Sequence, residues 1–193
     1  MDIRNFIRPI IAGLIGIGLV VLVIVLISKA FSGGGTPATQ TDVGKYADTA
    51  ATAMLLVDAP TIIDQDHRQV KITVSQTTNE IDTIQGYEGT ILATQSYPSN
   101  SAAYGAFLQS LKLLNFSKGN TDKSAADYRG YCPTGERYVY TFNDGNTDLF
   151  KFWSTSCRQG TFKGSALGVL NLFRAQIPQK DFDHMTSGIP LGF

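Results

Sequence analysis

The chain has 193 residues, with 16 Lys+Arg against 16 Asp+Glu and 43% hydrophobic residues. That length holds one domain rather than two. Zero net charge excludes the broad basic surface of a nucleic-acid binder, and a chain this apolar is not wholly disordered.

The apolar residues are concentrated near one end. Ile10 to Ile27 reads IIAGLIGIGLVVLVIVLI without a charge, and as a helix it extends roughly 27 Å at ~1.5 Å per residue, close to the hydrocarbon thickness of a bilayer. This predicts a transmembrane anchor over residues 10–28, in contact with membrane lipid, preceded by a cytoplasmic N-terminus over 1–9. The competing reading is a secretory signal peptide cut after Ala30, since Ser28 and Ala30 form a small-x-small pattern; the apolar stretch of such a peptide is normally only about 7–15 residues. Arg4 and Arg8 precede the span and Lys29 stands alone beyond it until Lys45, so the positive-inside rule places the N-terminus in the cytoplasm and the rest outside a single-pass cell-membrane protein. Ala12 and Gly16 form a small-xxx-small pair within the span. Residues 29–41, which include FSGGGTPATQT, read as a flexible tether. Residues 42–193 are then an extracytoplasmic domain large enough for its own core.

Within that domain the first predicted element is a helix over 43–58, where Tyr46, Ala50, Ala53, Met54 and Val57 share a helical face before Pro60. His67 to Gln76 alternates with Val70, Ile72 and Val74 on one side, the pattern of a half-buried antiparallel strand. Residues 79–84 and 87–96 continue the strand pattern around a turn at Gly86 and Gly89, returning to pair with that strand. The period then changes: Tyr104, Phe107, Leu108, Leu111 and Leu114 line one helical stripe behind a Ser99 or Asn100 cap. A polar connection from Ser117 to Tyr131 leads to a hairpin of 137–142 and 149–154 joined by Asn143-Asp144-Gly145-Asn146. A last helix over 165–176 presents Leu167, Leu170 and Phe173 before Pro178. The expected fold is therefore α+β, a two-layer sandwich of an antiparallel sheet with helices on one face, built of ββα units.

Cys132 and Cys157 lie on the side assigned as outside and flank the hairpin, whose antiparallel strands bring its ends together. They are expected to form a disulfide, closing a loop of about 25 residues and contributing roughly 3.5 kcal/mol on the chain-entropy account. Two cysteines alone do not make a tetrahedral zinc site.

The run YCPTGERYVYTFNDG, the segment WSTSCRQGTF, the stretch LFRAQIP and AAYGAFLQSLKLLNF upstream resemble uncharacterised single-pass exported proteins of ultra-small candidate-phylum bacteria. The resemblance spans roughly residues 85–180. It implies a bacterial envelope location and agrees with a Cys132–Cys157 pair, but brings no activity or catalytic residues.

Two acidic-histidine clusters, Asp64-Gln65-Asp66-His67 and Asp181-Phe182-Asp183-His184, hold divalent-cation ligands if the fold unites them. Asp in these positions more commonly caps turns in solvent, so no metal or cofactor is assigned. Ser154, Thr155 and Ser156 lack a Gly-x-Ser-x-Gly turn and a nearby histidine, so no catalytic residue is assigned either. Adjacent strand residues Phe152 and Trp153 point to opposite faces, so at least one of them lies off the core unless both faces are covered. From Gln179 to Phe193 no regular period is visible, yet Phe182, Met185, Ile189, Leu191 and Phe193 carry more apolar surface than a solvated tail needs. With Trp153 these are the expected partner contacts, the alternative being that the tail covers the sheet. The expected function is a membrane-tethered interaction module that recognises an envelope protein or cell-wall component. An envelope hydrolase and a structural subunit of a surface or secretion assembly are the competing readings.

Overall fold

The computed structural model describes residues 41–191. The expected cytoplasmic segment, membrane anchor, nearly all of the tether and Phe193 lie outside the described residues. Among those described, no helix is long and apolar enough to cross a membrane.

The elements in chain order are β1 (Ala51–Asp58), β2 (Arg68–Val74), β3 (Thr78–Gln85), β4 (Thr90–Pro98), α1 (Ser101–Leu113), β5 (Arg137–Asp144), β6 (Thr147–Thr155), α2 (Ala166–Arg174) and α3 (Gln179–Met185). The strands form one antiparallel sheet in the order β4-β3-β2-β1-β5-β6. The α+β class is as expected, and β2, β3, α1, the β5–β6 hairpin and α2 fall where the periodicity places them.

The expected helix over 43–58 is corrected. Only a short 3-10 turn, Val43–Tyr46, precedes a strand, β1, which lies between β2 and β5. The sequence ATAMLLVD satisfies both periods, since Ala53 and Val57 are four apart while Ala51, Ala53, Leu55 and Val57 alternate. Pairing on both sides decides it. Ala53, Leu55 and Val57 stand opposite Val74, Ile72 and Val70 on β2 and opposite Phe142, Tyr140 and Tyr138 on β5. These rows form the inner face, and all but Tyr138 are completely buried. Satisfying two ladders and burying four side chains outweighs the weak helix preference of Ala, Met and Leu.

α1 and α2 close that face. Asn100 caps α1 by accepting from the Ala103 amide at 2.9 Å, and the Tyr104 hydroxyl donates to the Ala51 carbonyl at 2.6 Å. Phe107 of α1 meets Phe173 of α2 edge to face at 5.2 Å, and Phe116 meets Phe150 of β6 at 5.3 Å. The other face of β5 and β6 is covered as well, by the connection between α1 and β5. Trp153 is 4% exposed, its indole N–H donating to the Ala125 carbonyl at 2.7 Å while its ring rests 4.8 Å from Tyr131.

The tail is also corrected: residues 179–185 form α3 behind Pro178. Phe182 is 3% exposed beneath the Arg174 guanidinium, 5.1 Å from the ring centroid. Thr83 of β3 donates to the Met185 carbonyl at 2.8 Å, and Met185, Ile189 and Leu191 pack half-buried on the core. With Trp153 and Phe182 enclosed, neither is an exposed contact residue. The helix has only seven residues and one buried side chain, too little for a visible period. Truncation after Pro178 removes these contacts and is expected to cost several kcal/mol, since each large buried side chain is worth about 1.5–3. Urea unfolding of the full and shortened chains measures it.

Burial also raises the phenols of Tyr104, Tyr138 and Tyr140, that of Tyr140 up to about 12. Between pH 10 and that value the unfolded chain releases protons the folded chain keeps, so stability falls as pH rises through this window. In an alkaline titration, tyrosinate absorbance from these rings is expected to appear together with unfolding rather than before it.

Candidate functional site

β1 ends in a buried carboxylate. Asp58 is 3% exposed, and one oxygen accepts from His67 Nε2 at 2.7 Å and Gln69 Nε2 at 3.1 Å while the other accepts from Arg137 Nε at 2.6 Å. Strand register brings these groups together, since Asp58 stands opposite Gln69 on β2 and Arg137 on β5. The remaining guanidinium nitrogens of Arg137 donate to Thr61 Oγ1 at 2.8 Å and the Ala59 carbonyl at 2.6 Å. Every polar edge of the ion pair is thus satisfied, the condition under which a buried pair is tolerated.

Because the carboxylate is an acceptor, His67 Nε2 carries the shared proton. His67 is fully buried and its Nδ1 has no hydrogen-bond partner among the described residues. Tyr87 covers it, ring over ring at 4.1 Å and within 16° of parallel. Tyr87 belongs to the β3–β4 turn and is held from three sides: its amide donates to Asp64 Oδ1 at 2.7 Å, its hydroxyl donates to the Ile62 carbonyl at 2.9 Å, and the Gly86 amide before it donates to the His67 carbonyl at 3.0 Å. Gly86 has φ 72°, and a Cβ there would fall 2.9 Å from Asp64 Oδ1. Only glycine fits both the left-handed backbone and that close approach.

The outcome is a platform at one end of the sheet whose central ring, Tyr87, is anchored on the buried network. Ile62, Ile63, Tyr87 and Ile91 are 47%, 61%, 49% and 54% exposed. Beside them an open cleft of about 470 Å³ is lined by Tyr87, Ala126, Asp127, Tyr128, Arg129 and Lys151. Arg129 grips Asp127 through two side-chain hydrogen bonds of 2.9 and 2.8 Å and holds that carboxyl down to about 2. Burial, then the Asp58 charge, pushes the Tyr128 phenol up.

The sequence candidates are distributed differently. Asp64 and His67 serve the Tyr87 turn, while Asp183 accepts from Gln179 Nε2 at 2.6 Å within α3. Among the described residues no group of three or more His, Cys, Asp or Glu side chains is arranged to hold a metal ion. Ser154 Oγ bonds the Tyr140 hydroxyl at 2.8 Å, and Ser156 Oγ accepts from the Glu136 amide at 3.0 Å. Neither serine bonds a histidine. Cys132 and Cys157 are joined, with Cα atoms 5.8 Å apart, across the base of the β5–β6 hairpin. Sequence reasoning missed Asp58, Arg137 and Tyr87. Asp58 lay inside the expected helix, so its position opposite Arg137 became visible only with the strand register.

Asp58→Ala leaves Arg137 buried without its counter-charge and is expected to destabilise the fold by about 3–5 kcal/mol. Asp58→Asn, which keeps the shape and one acceptor, is expected to cost less; denaturant unfolding of the two variants checks the order. No protein-family model, curated protein or solved structure matches the chain.

Proposed function

We propose that the chain is an extracytoplasmic recognition module, tethered to the cell membrane through residues 10–28 and the linker that follows, which binds an envelope protein or cell-wall component through the platform around Tyr87. The observation that carries this reading is the exposure of Ile62, Ile63, Tyr87 and Ile91 together with the anchoring of Tyr87 on buried His67 and on Asp64 and the Ile62 carbonyl. An exposed aromatic ring anchored in this way loses little conformational freedom on binding, so more of the contact energy appears as affinity. The adjoining cleft adds tyrosine faces and the Arg129 and Lys151 cations to orient a partner. The disulfide suits an oxidising compartment, and the resemblance to exported single-pass proteins points the same way. The hydrolase reading draws no support from His67, which is enclosed and engaged by Asp58.

Photocrosslinking in intact cells tests the proposal. A photoreactive residue at Ile63 is expected to capture a defined envelope component, and one at the exposed Leu167 of α2 is not. Ile63→Asp is expected to abolish capture from a second probe at Ile91 while the melting temperature stays within a few degrees. Equal capture from Ile63 and Leu167, or capture indifferent to Ile63→Asp, overturns the assignment.

A further inference from the structure

We propose that β4 is a self-pairing edge: two copies of the chain join β4 to β4 antiparallel about a two-fold axis at Gln95, continuing each sheet into the other. The sheet ends in two edges, and they are treated differently. At β6 the chain folds back along its own edge, the Phe162 amide donating to the Trp153 carbonyl and the Thr155 amide to the Gln159 carbonyl, both at 2.9 Å. At β4 no strand lies beyond it among the described residues, and Thr90 to Ser96 are all exposed.

Exposed edges are normally blunted by charge, above all lysine. β4 is the one described strand with no charge at all, TILATQSYP, whereas β1 has Asp58, β2 Lys71, β3 Asp82, β5 Arg137 and β6 Lys151. A two-fold axis sets each side chain against its own copy or that of a near neighbour, so a charged edge pairs like with like. A neutral one does not, which is why the occupant inferred is a second copy.

The backbone pattern fits the same axis. The Ser99 amide donates to the Thr77 carbonyl at 2.8 Å, and antiparallel ladders alternate bonded and non-bonded pairs. Along the register Asn79↔Tyr97, Glu80↔Ser96, Ile81↔Gln95 and Asp82↔Thr94, Tyr97 and Gln95 therefore bond inward to β3, while Thr94 and Ser96 direct N–H and C=O outward. Centred on Gln95, Thr94 meets Ser96 of the second copy and the reverse, giving about four inter-chain backbone hydrogen bonds. The one irregularity, an extra residue at Leu92 between Ile91 and Ala93, lies outside this stretch.

Sedimentation of the full chain in detergent micelles tests this, using Gln95→Lys and Gln95→Glu. Wild type is expected to dimerise, each variant alone to dimerise about fivefold or more weakly because like charges face each other across the axis, and an equimolar mixture of the two to recover dimers. A monomeric wild type overturns the proposal. So does a dimer indifferent to both substitutions, the result expected of association through Ala12 and Gly16 in the apolar span. Loss of dimers in each variant without recovery in the mixture also overturns it. None of these outcomes depends on what the Tyr87 platform binds.

Discussion

A carboxylate buried at the end of a central strand has to find several donors at once, and the way Asp58 does so governs much of this domain. Its donors come from both neighbouring strands, Gln69 on β2 and Arg137 on β5, with His67 entering from just before β2. A one-residue slip of either neighbour would turn its inward row outward and remove the donor from Asp58. Apolar alternation and charge pairing therefore demand the same register. The loops at that end of the sheet are drawn in too, since Arg137 also reaches Thr61 and the Ala59 carbonyl.

The same network links architecture to the proposed recognition surface. Buried His67 provides a flat ring on which Tyr87 stacks, and Gly86 lets the turn come close enough for Asp64 to hold the Tyr87 amide. Tyr87 thus rests on a buried polar network. At the hairpin, the Cys132–Cys157 bridge closes the base of β5 and β6, the strands whose two faces are both covered. A helical layer on one side and the α1–β5 connection on the other explain why adjacent Phe152 and Trp153 are both enclosed.

Several elements were legible because their local pattern admits one answer. Val70, Ile72 and Val74 alternate too strictly for a helix, the stripe from Tyr104 to Leu111 follows a clear cap, and the segment Asn143-Asp144-Gly145-Asn146 turns a hairpin whose flanks alternate aromatic residues. The disulfide was legible because the cysteines bracket that hairpin. β1 was not, since its small and aliphatic residues satisfy both periods, and α3 was not, since seven residues with one buried phenylalanine leave no periodic trace.

What the sequence determined by itself is the α+β class, most of its elements and the cysteine pair, all of which depend on residues close along the chain or on a single hairpin. Only the tertiary structure decided that residues 51–58 become a central strand, that Asp58 finds Arg137, a residue 79 positions away, and that Tyr87 covers His67. It also left β4, rather than β6, as the edge with no chain paired to it among the described residues. These outcomes depend on which strands become neighbours. Hydrogen bonding on both sides and the need to satisfy a buried charge set that order, and neither is expressed in the local periodicity of any one segment.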